Sequence, residues 1–213
     1  MSKQTKKNNN SIISVLKKSN LTVMGAVLVL MIILASIFSP YFLDIYNLQS
    51  LIRDLAFIGM IGVGQSLLLL IGELDLSVGK IASLCGIMAG MMMVHWHWNP
   101  FLSVIAACVF GLLLGCLNGL IITKLRLNAM VATIGMQGVY GGINLVLTKG
   151  KAITNIPSEI HFLGKGNVGS IPVPFIFTLI ILVAILFLIS KLKTGRYIYA
   201  IGNNREAAKI LGI

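Results

Sequence analysis

The chain has 213 residues, 57% of them hydrophobic and 11% charged, where an average soluble protein carries about 25% charged residues. With a mean hydropathy of +0.94, this composition excludes a disordered chain, a soluble enzyme domain and a disulfide scaffold, and leaves a polytopic membrane protein. Seventeen Lys/Arg against six Asp/Glu give a net charge of +11, which suits either a nucleic-acid binder or the cytoplasmic loops of a membrane protein, so the placement of the charges decides.

Residues 1–20 are polar, with five lysines and the run Asn8, Asn9, Asn10. They predict a cytoplasmic head with a short amphipathic helix near residues 12–16. The first apolar run, 21–43, is too long for the apolar region of a cleavable signal and has no A-x-A site after it, so it is a retained span. Residues 44–54 read as a polar turn. The second run, 55–71, is short, carries Gly59, Gly62, Gly64 and Gln65, and breaks at Gly72-Glu73-Leu74-Asp75. The third, 76–94, ends at His95-Trp96-His97-Trp98, where two Trp form an interfacial anchor and two histidines without a third ligand predict no metal site. The fourth, 101–123, is followed by Lys124 and Arg126. The fifth, 130–147, is interrupted by Gly135, Gly138, Gly141 and Gly142 and precedes a polar stretch, 148–172. The sixth, 173–190, is closed by Lys191, Lys193 and Arg196. The expected fold is all-α: a polytopic transmembrane bundle of about six spans, some short or broken. It divides into a head at 1–20, a bundle at 21–190 and a cytoplasmic segment at 191–213.

With the head inside, six spans place residues 1–20, 72–80, 124–128 and 191–213 in the cytoplasm. Those stretches hold thirteen of the 17 Lys/Arg, and only Arg53, Lys149, Lys151 and Lys165 fall outside. The asymmetry predicts that both ends are cytoplasmic and removes the need for a nucleic-acid partner. Cys85, Cys108 and Cys116 lie inside apolar runs without CxxC spacing, so neither a disulfide nor a zinc site is expected.

Small residues recur at four-residue spacing as Gly111, Gly115 and Gly119, as Ala82, Gly86 and Gly90, and as Gly138 and Gly142. In lipid such stripes mark faces where helices approach closely. Polar groups within or between the spans are costly in hydrocarbon and mark a bundle interior or a water-filled path. The candidates for a substrate pathway are Gln65, Glu73, Asp75, Ser77, Asn118, Thr133, Gln137 and Asn144, grouped around short glycine-rich runs of the kind that form discontinuous helices. No chain of buried acids or histidines suggests a coupling ion, so energy is expected from a partner. The stretch from Leu74 to Ile81 has a Gly-Lys pair but lacks the leading glycine and following Ser/Thr of a phosphate loop. No catalytic constellation and no cofactor site is predicted. After the last span, 194–202 reads as a loop leading through Asn203 and Asn204, as helix caps, into a short amphipathic helix fit for docking a soluble partner.

Three ordered motifs then carry a resemblance. Gly72-Glu73-Leu74-Asp75-Leu76-Ser77-Val78-Gly79, Ala132-Thr133-Ile134-Gly135-Met136 and the stretch from Thr194-Gly195-Arg196 to Gly212-Ile213 are similar to segments of the membrane-spanning permeases of bacterial ATP-binding-cassette importers of the ribose/xylose/autoinducer-2 class. Glu73 stands where that family has a second glycine, and Leu211 where it has serine. The resemblance implies a transmembrane subunit of the cytoplasmic (inner) membrane that moves a sugar or sugar-like solute. It would have no enzymatic activity of its own and would work in membrane lipid with an ATPase subunit, an extracytoplasmic substrate-binding protein and a second permease subunit, identical or not. It further implies that Asn203, Asn204, Arg205, Glu206, Ala207, Ala208, Lys209 and Gly212 face the ATPase. Members continue past this last motif with further spans, so the chain is expected to correspond to the N-terminal portion of a permease, a truncated form. A secondary transporter or a non-transport membrane protein is the alternative; the first would need an intramembrane acid and the second a polar catalytic cluster.

Overall fold

The computed structural model describes residues 20–212, and the chain divides into two compact units, Met1–Ser50 and Leu51–Ile213. The head expected at 1–20, with its short helix near 12–16, lies outside the described residues except for Asn20.

In the first unit, helix α1 (Asn20–Phe38) is apolar all round, the pattern of a helix solvated by lipid. A turn follows, and Asp44 caps helix α2 (Ile45–Leu70): its Oδ1 accepts from Tyr46 N–H at 3.2 Å and its carbonyl from Leu48 N–H at 2.9 Å. The stretch 45–54, expected as a turn, is therefore the start of α2. It contains neither Gly nor Pro, so a cap suffices to make it helical.

The second unit continues with α3 (Val78–Val94), α4 (Pro100–Leu125) and α5 (Ala129–Thr148). Asn99 caps α4 by accepting from the N–H groups of Phe101 and Leu102 at 3.0 and 3.3 Å, with Pro100 at the first helical position where no N–H is needed. Asn128 caps α5 in the same way through Met130 and Val131. The polar stretch before the last span folds as a 3-10 turn (Ser158–Ile160), a short helix α6 (His161–Lys165) and a tight antiparallel pair, β1 (Asn167–Val168) with β2 (Ile171–Pro172). Arg53 of α2 reaches this stretch, donating to the carbonyl of Lys165 and to Asn167 Oδ1, both at 3.3 Å. Helix α7 (Val173–Lys191) is followed by α8 (Lys193–Asn203) and α9 (Arg205–Ile210). Helices α2, α4, α5 and α7 are long and apolar enough to cross a membrane, and residues 22–38 of α1 and all of α3 are shorter apolar helices. The all-α polytopic bundle with some short helices is thus the observed architecture.

Residues 194–202, expected as a loop, lie within α8. Gly195 and Gly202 allow this: a Cβ on the first would collide with the backbone of Ile189, and one on the second with the carbonyl of Leu70. The small-residue stripes need a similar correction. Gly111 faces Cys85 Sγ, Gly90 faces Ile153 and Gly59 faces Thr178 Cγ2, at 3.0 to 3.3 Å from an added Cβ, whereas Gly86, Gly115, Gly119, Gly138 and Gly142 have no described atom within 4 Å. Regular spacing gives each stripe a face, but in the first two stripes one glycine sits at a crossing point, Gly111 and Gly90, and in the third neither Gly138 nor Gly142 does. Lys80, which falls both at the start of the third run and in the expected cytoplasmic stretch 72–80, belongs to the first turn of α3.

Candidate functional site

The break between α2 and α3 determines the site. Helix ends leave backbone N–H and C=O groups unpaired, and within a membrane no bulk water satisfies them, so side chains must. Asp75 Oδ1 accepts from the backbone N–H and the hydroxyl of Ser77, each at 2.7 Å. The N–H of Leu76 donates to Thr133 Oγ1 on α5 at 3.1 Å. Gln65 on α2, with its amide turned to match its neighbours, accepts from Asp75 N–H at 3.1 Å and donates to the Asp75 carbonyl at 3.2 Å. A carboxylate ahead of the first turn of α3 also lies at the favourable end of that helix dipole.

The network extends into the bundle through Asn118 of α4. Its Nδ2 donates to Ser77 Oγ at 2.8 Å and to Asp75 Oδ2 at 3.4 Å, and its Oδ1 accepts from the Tyr140 hydroxyl at 2.8 Å. Ser77, Asn118, Thr133 and Tyr140 are all buried. Asn118 lies seven residues before the end of the 26-residue α4, about 10 Å along its axis at 1.5 Å per residue, so the break is held inside the span. Beside it lies a cavity of about 360 Å³ bounded by Leu68, Glu73, Asp75, Gly119, Ala129 and Arg205.

Glu73 leaves the network and pairs with Arg205 of α9 at 2.9 Å. In α9, Asn204 Oδ1 accepts from Ala207 N–H at 3.0 Å; Asn203 is the last residue of α8, and Gly212 ends the described chain in a left-handed conformation. Ala208 is packed inward, Glu206, Ala207 and Lys209 are exposed, and Ile210 and Leu211 are 86% and 76% exposed.

Of the pathway candidates, Gln65, Asp75, Ser77, Asn118 and Thr133 thus come together. Glu73 sits at their rim. Gln137 is exposed on α5, and Asn144 donates to Ser83 Oγ at 3.2 Å outside the network. Two residues were missed. Tyr140 lies seven positions after Thr133, on the same helical face, which periodicity could have shown. Lys80 was counted with the cytoplasmic charges although it also falls near the start of the third apolar run.

Residues 47–213 match the family described as branched-chain amino acid transport system / permease component. The chain belongs to this family. It is similar to the ribose import permease protein of Bacillus subtilis, 38% identical over 188 residues, 87% of this chain and 58% of that protein. It is also similar to an autoinducer 2 import system permease protein of Yersinia pestis, 32% identical over 196 residues, 90% of this chain and 54% of that protein. The chain spans between half and three-fifths of the length of these relatives. No solved structure matches it. Membership of this permease family and the apolar helices make the chain a multi-pass protein of the inner membrane.

Proposed function

We propose that this permease chain is the transmembrane subunit of an ATP-driven importer for a sugar or sugar-like solute, with both ends in the cytoplasm. The observation that carries the reading is the continuity from the buried polar break to α9: Asp75 and Asn118 line the same cavity as the Glu73–Arg205 pair. In this reading Gln65, Ser77 and Thr133 hold the break open. Asp75, Asn118 and Glu73 face the inner end of the path, with Gln137 and Asn144 further out. The import activities named for the relatives support the same assignment.

The α9 segment is the docking element for an ATPase subunit. Exposed Glu206 and Lys209 set register, exposed Ala207 lets a surface approach closely, and Ile210 and Leu211 offer apolar area. ATP is hydrolysed by that partner, and the chain has no catalytic role. Closure of an ATPase pair would move α9 and bias the bundle between outward-open and inward-open states, with an external binding protein delivering solute and a second permease subunit completing the path.

The test is co-purification of the ATPase subunit and solute-stimulated ATP turnover in reconstituted vesicles. Glu206→Lys and Ala207→Trp should each lower both readouts at least tenfold while membrane insertion stays normal, on the order of the 1.4 kcal/mol that a lost contact at an interface costs. Wild-type values in both variants would overturn the docking assignment. Reporter fusions after Asn10 and after Lys193 should both report cytoplasm, and an external signal from either would overturn the orientation.

A further inference from the structure

Lys80, in the first turn of α3, lies with its stem against α5: a Cβ built on Gly141 would be 3.8 Å from its Cε and 4.0 Å from its Cδ. Gly141 is twelve residues beyond the start of α5 at Ala129, about 18 Å along the axis, with about 10 Å left to Thr148. The ammonium is one bond beyond Cε, so a stem laid against Gly141 holds the charge at mid-span rather than carrying it to an interface. Lys80 is exposed. Among the described residues no acceptor engages it, and the ion pair formed is that of Arg205 with Glu73. An ammonium at this depth with no partner among the described residues is too costly to face lipid, which points to wet surroundings.

The neighbours agree. On α3, Ser83, Ile87 and Gly90 follow Lys80 at helical spacing, and on α5, Gln137 and Asn144 flank Gly141 by one turn on either side. Asn144 Nδ2 donates to Ser83 Oγ, while its Oδ1 is buried without a partner. From Ser83 a groove of about 540 Å³ runs outward past Gly86, Gly90 and Thr148 to Lys151.

We propose that the face shared by α3 and α5 is a water-filled wall of the path and that Lys80 is its fixed positive charge, selecting solutes that carry a carboxylate or phosphate beside hydroxyl groups for Gln137 and Asn144. The word path rests on the permease reading; the wet, positive face does not. It is tested in membrane vesicles on the full chain with Cys85, Cys108 and Cys116 replaced by alanine.

Gln137→Cys should react with small methanethiosulfonates, whereas Val139→Cys, on the far side of α5, should not. The sulfonate reagent should be favoured over the trimethylammonium reagent about fivefold relative to free thiol, the ratio expected for unit charges roughly 8 Å apart in water-like surroundings. Lys80→Gln should abolish that preference. Ser83→Cys gives a second reading of the same ratio if Gln137→Cys inserts poorly. Reaction at both positions no faster than at Val139→Cys would overturn the wet face, and a charge ratio unchanged by Lys80→Gln would overturn the role of Lys80. Glucuronate or glucose 6-phosphate should slow labelling of Gln137→Cys more than glucose does. Equal protection by all three, or by none, would overturn the ligand class. Failure of ATPase docking alone would leave all these rates unchanged, which separates this proposal from the functional reading.

Discussion

The α3–α5 cluster and the α7–α9 arm use the membrane in opposite ways. In the cluster, three helices are joined through Ser77, Asn118, Thr133 and Tyr140, all buried and hydrogen-bonded to one another or to the break. In the arm, α7 is apolar apart from Thr178, Ser190 and Lys191, and its one buried polar group, Thr178, meets α2 by sharing its hydroxyl between the carbonyls of Ala56 and Pro174 at 3.0 and 2.9 Å. Lipid tails are as apolar as leucine side chains, so an apolar helix gains little by leaving lipid for a neighbour; small residues and hydrogen bonds decide where helices bind. The cluster is therefore held by specific polar contacts, and the arm by a few close approaches that leave it freer to shift.

Asn118→Leu should loosen the cluster most severely. It keeps the branched shape but leaves the buried Tyr140 hydroxyl without its acceptor and Ser77 Oγ with only its bond to Asp75 Oδ1, a loss on the order of 3 kcal/mol, read as the thermal midpoint in detergent. Adding Tyr140→Phe removes one orphaned group and should recover about 1 kcal/mol; no recovery would mean that Asn118 acts by packing alone. Gly111→Leu comes next, costing about 2 kcal/mol because Cys85 Sγ already lies 3.0 Å from an added Cβ. Gly115→Leu, which meets no described atom within 4 Å, should be near neutral. Equal losses at the two glycines would show that the whole stripe is a contact face.

The sequence made the helical class, the spans and the break legible because apolar run length and breakers are local signals. Asp75, Ser77 and Thr133 were legible too, since polar groups in a hydrocarbon setting stand out. Their grouping with Gln65 and Asn118 was not, because it depends on α3 and α5 running parallel, so that Leu76 and Thr133 fall at one level. Charge misled twice: Lys80 was counted with the cytoplasmic charges although its stem lies on Gly141, and Arg53 and Asp54 read as a turn although Asp44 caps the helix before them. The helicity of 194–202 was legible, since Tyr197, Ile198 and Ile201 recur at helical spacing, but Gly195 and Gly202 read as breakers, and only the structure shows that they serve close backbone approach.

Thr178→Val tests how firmly the arm is held. It removes the hydroxyl shared with Ala56 and Pro174 but leaves the Cγ2 methyl that meets Gly59. Both carbonyls retain their places in helices, so the expected cost is about 0.6 kcal/mol, the ordinary worth of an interhelical hydrogen bond in a membrane protein. A loss as large as that of Asn118→Leu would mean that the arm is fixed as firmly as the cluster.

The smallest effect is expected where the two regions meet. Glu73 and Arg205 pair at 2.9 Å, but their side chains are 28% and 63% exposed, and ion pairs in contact with water contribute little once side-chain entropy and screening are counted. Glu73→Gln and Arg205→Gln should each change stability by no more than about 0.5 kcal/mol, with a coupling energy of similar size in a double-mutant cycle, and that coupling should shrink as salt is raised. A joint this weak holds the break and α9 in register without welding them together. A salt-insensitive coupling above about 1 kcal/mol would instead make Glu73, Arg205 and the polar break a single rigid piece. The contrast between a fixed cluster and a movable arm would then fail at the contact that joins them.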